Sequence, residues 1–150
     1  MSKIIGYMVT WTTYGSWLPG DERGYVENGR ILPGNLKILE RNRKRQKAST
    51  VKLNEAEKEI VHKTILSEAE SINHKIKALV VCTNHLHLVA RPHSESIKDT
   101  VGRYKSVTRR ALWQHGRKGR IWTKGYDKRF CFTEEKLALR IRYVNKHNLD

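Results

Sequence analysis

Cysteine is almost missing from this sequence, and what it lacks excludes several classes of protein. The two cysteines, Cys82 and Cys131, form no Cys-x-x-Cys pair. A disulfide scaffold and a cysteine-based zinc module are therefore excluded as organising principles, and a reducing cytoplasm is the expected compartment. The longest uninterrupted apolar run is Ala78 to Cys82, too short for a transmembrane helix. The first residues mix Lys3, Tyr7, Thr10 and Thr12 among apolar side chains, so no signal-peptide core is expected. There is no internal repeat, no low-complexity tract and no His-Glu-x-x-His metalloprotease spacing. Acids are scarce too: 15 Asp and Glu face 30 Lys and Arg, a formal charge of +15.

What is present is a 150-residue chain with 38% hydrophobic residues, enough for one domain with its own core, and a single domain over 1–150 is expected. A pI near 10.1 points to a polyanionic partner, because each neutralised phosphate releases counterions. The basic residues are concentrated. Arg103, Lys105, Arg109, Arg110, Arg117, Lys118, Arg120, Lys124, Lys128 and Arg129 face one acid, Asp127, with Tyr104, Trp113, Trp122, Tyr126 and Phe130 interleaved. Cations for phosphates and flat rings for unstacked bases are the composition of a single-strand groove. Trp122 and Tyr126 are the expected stacking rings, and Tyr7, Trp11, Tyr14, Trp17 and Tyr25 are further candidates. A second cluster, Arg41 to Lys47, has no apolar periodicity and reads equally well as a solvated loop. No basic helix with a wide apolar face supports a membrane partner.

Periodicity orders the chain. Ile4 to Trp11 reads as a strand, and glycine and proline punctuate a long loop region over 13–50, of the kind that is functional or mobile. Asn54 with Glu57 predicts a capped helix over 54–73, with Ala56, Ile60, Val61, Ile65, Ala69 and Ile72 on its apolar side. Ile76–Cys82 and His85–Arg91 predict a hairpin turning at Thr83-Asn84. Ser94 is the expected cap of a second helix carrying Ile97, Val101, Tyr104, Thr108, Ala111 and Leu112 on one stripe. Ile121–Phe132 predicts a strand interrupted by Gly125, and Thr133 starts a third helix with Leu137, Ala138, Ile141 and Val144 facing the core. The order strand, helix, strand, strand, helix, strand, helix is a split βαβ plan. The expected fold is an α+β, ferredoxin-like sandwich with an antiparallel sheet.

Within this plan, His85 and His87 lie two apart on a strand and share a face, while Leu86 and Leu88 point to the other. Two adjacent imidazoles are costly if both are protonated, and a divalent metal would relieve that; a half-exposed strand carrying two histidines by chance is the plain alternative. On the third helix Tyr143 and His147 are one turn apart and neighbour each other. Packing explains a tyrosine at that margin as well as function does, and Tyr104 reads as core.

His85-Leu86-His87 followed by Tyr143-Val144-Asn145-Lys146-His147 resembles the HUH single-tyrosine transposases of the insertion-sequence type. Gly119-Arg120-Ile121-Trp122-Thr123-Lys124-Gly125-Tyr126 resembles a segment of their REP-associated branch, and the opening Thr10 to Gly20 resembles the start of some members. The resemblance implies Mg2+ or Mn2+ on His85, His87 and His147, the last replacing a more common glutamine or asparagine, with Asn148 a neighbouring alternative. It implies Tyr143 as nucleophile, a 5′-phosphotyrosine link and single-stranded, hairpin-flanked DNA as substrate. Relatives act either as homodimers or alone, so a homodimer is one of two expected states. The competing readings are a non-catalytic single-strand-binding ferredoxin-like module, an inactive or domesticated relic, and a metal nuclease that uses water.

Overall fold

The computed structural model describes residues 3–16 and 50–147. Most of the expected 13–50 loop, with Trp17, Tyr25, the Arg41–Lys47 cluster and also Asn148, lies outside the described residues. The elements are β1 (Gly6–Thr12), α1 (Glu55–Ser71), β2 (Ile76–Val81), β3 (His85–Ala90), α2 (Ile97–Gln114), β4 (Asp127–Cys131) and α3 (Glu134–His147). The strands form one sheet in the order β2-β3-β1-β4, antiparallel throughout. This is the expected α+β, ferredoxin-like arrangement.

Side-chain alternation sorts the core into two layers. Tyr7, Val9 and Trp11 of β1 join Leu86 and Leu88 of β3 on one face, under Val61 and Ile65 of α1 and Val101, Tyr104 and Leu112 of α2. Met8, Ala78, Val80, Val89 and Cys131 point the other way, beneath Leu137 and Val144 of α3. Because helices cover both faces, β1 is buried along its whole length. Gly6 sets the approach of α3: a Cβ there would stand 2.7 Å from Leu137 Cδ1 and 2.9 Å from the Ala90 carbonyl oxygen.

The local signals account for most boundaries. Asn54 closes a full capping box with Glu57 on α1. The hairpin closes through Cys82 N–H donating to the His85 carbonyl at 2.7 Å. Four expectations are corrected. The cap of α2 is Ser96, which accepts from Asp99 N–H, rather than Ser94. The strand expected over 121–132 is confined to β4, and Trp122 instead makes an isolated bridge to Thr13. On α1 the buried first-turn residue is Glu57, not Ala56, because Arg117 pairs with its carboxylate. Ala138 of α3 is exposed, while Leu137, Val144 and the half-buried Ile141 seat the helix.

Candidate active site

Pairing places the chemistry on the α3 face of the sheet. Thr12 lies opposite His85 and Thr10 opposite His87 across β1·β3, while Asp127 lies opposite Thr10 across β1·β4. His87, Thr10 and Asp127 thus form a row across three strands. The His85 and His87 ring centroids are 4.9 Å apart. Over them α3 brings Tyr143, 5.6 Å from His87, and His147, 5.3 Å from His87. Tyr143 and His147 stand 4.5 Å apart, as expected for neighbours one turn apart. All four sequence-predicted residues are therefore assembled. Tyr143 is 44% exposed, and its hydroxyl has no hydrogen-bond partner among the described residues.

Each imidazole is anchored through Nδ1. His85 Nδ1 lies 2.8 Å from Asn84 Oδ1, His87 Nδ1 lies 2.7 Å from Thr10 Oγ1, and His147 Nδ1 lies 3.0 Å from the Tyr143 carbonyl oxygen. The carbonyl and the amide oxygen can only accept, so His85 and His147 donate through Nδ1 and turn Nε2 away from these partners. Burial, reinforced by the neighbouring imidazoles, holds His87 down to about 4, with Asp127 opposing. Burial and His147 also lower His85. Two neutral rings are what a metal requires of histidine.

The donor chemistry of His85, His87 and His147 fits a divalent ion. Rings that share one ion stand roughly 4.5–5.5 Å apart, given metal–nitrogen bonds of about 2.1 Å. As they are placed here, no group of three or more His, Cys, Asp or Glu among the described residues forms a metal site, so the fit is one of donor type and ring spacing. Nitrogen donors suit Mn2+ better than Mg2+.

The basic stretch divides in two. Arg103 is held by Glu68 and Glu95, at 3.2 and 2.8 Å. Arg117 is bound to Glu57 and to the Lys52 carbonyl. Lys105 Nζ donates to the carbonyls of Thr123 and Gly125 at 2.9 and 2.6 Å, and burial lowers its pKa to about 8. These three tie the protein together. Arg129 pairs loosely with Asp127, and Lys128 lies over the Phe130 ring. Arg109, Arg110, Lys118, Arg120 and Lys124 are exposed and have no acidic partner among the described residues.

The stacking expectation for Trp122 is corrected: it is 6% exposed, edge-on to Trp11, and its indole N–H donates to Thr108 Oγ1. Tyr7 and Trp11 are likewise core, and Tyr126 packs half-buried against the same cluster. Thr10 was missed by sequence reasoning. Alternation along β1 places it on the site face, but only the strand register pairs it with His87.

An antiparallel ferredoxin-like sheet covered by helices on both faces, with a histidine–tyrosine cluster under its last helix, defines a class of small α+β domains. The chain belongs to the IS200-like transposase family, whose family model matches residues 35–147. A search of the curated proteins finds no match. The fold is similar to that of a REP-associated tyrosine transposase solved bound to a REP hairpin. The TM-score is 0.60 and the identity 10%, covering 99% of this chain and 70% of that one. It is also similar to a protein of Deinococcus radiodurans R1 assigned as a transposase. There the TM-score is 0.53 and the identity 16%, covering 97% of this chain and 92% of that one. Among the described residues no helix is long and apolar enough to cross a membrane.

Proposed function

We propose that this chain cleaves and rejoins single-stranded DNA through Tyr143, with hairpin-flanked DNA as its substrate. The carrying observation is the placement of the exposed Tyr143 ring 5.6 Å from His87 and 4.5 Å from His147 on one sheet face. Family membership supports the transposase class, and the hairpin-bound structural neighbour supports the choice of DNA.

His85, His87 and His147 would hold the ion, Mn2+ or Mg2+, which when bound would supply Lewis-acid polarisation of the scissile phosphate. Tyr143 Oη attacks phosphorus and loses its proton to solvent. The bond to the 3′-oxygen breaks, and that oxygen takes up a proton as a free 3′-hydroxyl. The product is a 5′-phosphotyrosine link that conserves the phosphodiester, so a second strand's 3′-hydroxyl can reverse the step without ATP. Thr10, Asn84 and the Tyr143 carbonyl orient the three rings. The exposed cations neutralise the backbone on either side. Because Tyr143 and the histidines belong to one chain and already meet, a single copy carries the complete constellation.

The test mixes the protein, Mn2+ and labelled single-stranded hairpin oligonucleotides, beside a Tyr143→Phe variant. A label that stays with the protein on a denaturing gel, is absent from the variant and maps to Tyr143 by mass spectrometry is the expected result. Metal-dependent cleavage equal in both proteins would instead identify a water-using nuclease. Binding without cleavage in either would identify a binding module or an inactive relic.

A further inference from the structure

The sheet end that carries His85 continues into a ledge where some of the exposed cations lie beside the exposed ring of Trp113 and the half-buried ring of Tyr14, rings that the chemistry above does not use. Beyond Thr12, which lies opposite His85, the chain continues through Thr13, whose N–H donates to the Asn84 carbonyl, and Tyr14, whose N–H donates to the Ile121 carbonyl at 2.7 Å. There the Arg120 guanidinium sits over the Tyr14 ring, 4.8 Å from its centroid. One residue earlier, the Gly119 carbonyl accepts the Trp113 indole N–H at 2.7 Å. Arg109, one turn back on α2, lies over the Trp113 ring at 5.1 Å. Trp113 is 44% exposed, although a free indole gains by burial. Its hydrogen bond and the guanidinium fix the ring in place while leaving much of it in solvent.

We infer that Trp113, with Arg109, Arg120 and Tyr14, forms a second binding site that stacks unpaired nucleotides of a DNA strand running from the Tyr143 centre around the end of the sheet. The inference rests on the DNA-substrate reading above. The ledge is complementary to a single strand in both of its chemistries. Arg109, Arg110 and Arg120 have no acidic partner among the described residues, so their charge is available to phosphates. A fixed, half-open indole offers a π-face that any base can stack on without sequence preference. A duplex would present its phosphates to the arginines but keep its bases from the ring, so paired and unpaired DNA respond differently to loss of Trp113.

The test is equilibrium binding by fluorescence anisotropy, in EDTA so that cleavage plays no part. The probes are a labelled unpaired oligothymidine and a labelled blunt hairpin with no unpaired flank. Trp113→Ala is expected to weaken binding of the unpaired probe by about five- to a hundredfold, with Trp113→Phe retaining it to within about threefold and the blunt hairpin changing little. Unchanged affinity for the unpaired probe, equal loss on both probes, or loss in Trp113→Phe as large as in Trp113→Ala would overturn it. A circular dichroism melt of each variant shows whether it is folded; if the Ala variant is not, Trp113→Leu, which fills the space without a flat ring, is expected to show the same selective loss on the unpaired probe, and its retention there would overturn the inference. The assay contains no metal and does not involve Tyr143. Failure of the phosphotyrosine test therefore leaves this result standing, and failure here leaves the phosphotyrosine proposal standing.

Discussion

Replacing Thr10 with valine tests whether the outer partners of the histidines matter. Thr10 is 4% exposed, and its Oγ1 lies 2.7 Å from His87 Nδ1. For His87 to offer Nε2 to an ion, its proton must sit on Nδ1, with the hydroxyl accepting. Valine keeps the shape of threonine but removes that acceptor. A buried N–H left without a partner costs about 1–3 kcal/mol, which favours moving the proton to Nε2, where it blocks coordination. At about 1.4 kcal/mol per tenfold, metal affinity should fall by roughly ten- to a hundredfold, the range measured when second-shell partners of other metal sites are removed. Two assays read it. Nitrogen-15 NMR of the metal-free protein should show His87 protonated at Nδ1 in the parent and shifted toward Nε2 in Thr10→Val. Mn2+ titration followed by calorimetry should show the weakened binding. An unchanged tautomer together with unchanged Mn2+ affinity would refute the role given to Thr10, and with it the reading of the anchored rings as a prepared donor set.

The metal-free protein should also lose stability as acid is added. His74, buried between the hydroxyls of Tyr7 and Tyr104, and His87 are both held down to about 4, chiefly by burial. Their unfolded value is about 6.5, so the unfolded chain binds the extra protons. Stability is then full above about pH 6.5 and falls toward pH 4 by up to about 1.4 kcal/mol per unit for each ring; a flat melting temperature across that range would contradict it. Free and committed cations should separate cleanly. Arg110→Ala should lower the salt dependence of DNA binding by about one unit of slope without changing the melting temperature. Arg117→Ala should do the reverse, costing about 1–3 kcal/mol because it strands the Glu57 carboxylate. Gly6→Ala should lower the melting temperature by pushing Leu137 away, at about 1–3 kcal/mol. Because α3 also carries Tyr143, the same change should slow formation of the DNA adduct in a denaturing-gel time course.

Much of the site was legible before any fold was known, because the information is local. His85 and His87 must share a face wherever they lie on a strand, and Tyr143 and His147 must adjoin wherever they lie on a helix. The Asn54–Glu57 capping box and the split βαβ order follow from spacing alone. Their consequence, a ferredoxin-like sheet, was legible in the same way, whereas the union of the histidines with the tyrosine helix was implied by the family resemblance. Small errors at the boundaries, such as Ser94 for Ser96, arose because both serines offer a cap and the sequence does not say which turn closes. What tertiary structure decided was partnership across long separations. Strand register, set by side chains distant in sequence, put Thr10 on His87. Three-dimensional proximity gave Glu57 to Arg117, and Glu68 and Glu95 to Arg103, removing two cations from a stretch that composition treats as uniform. It also turned Trp122 into the core against Trp11 and left Trp113 outside. Composition registers a tryptophan in a basic segment, but which one meets solvent depends on the face each element presents, and packing across the whole domain fixes that.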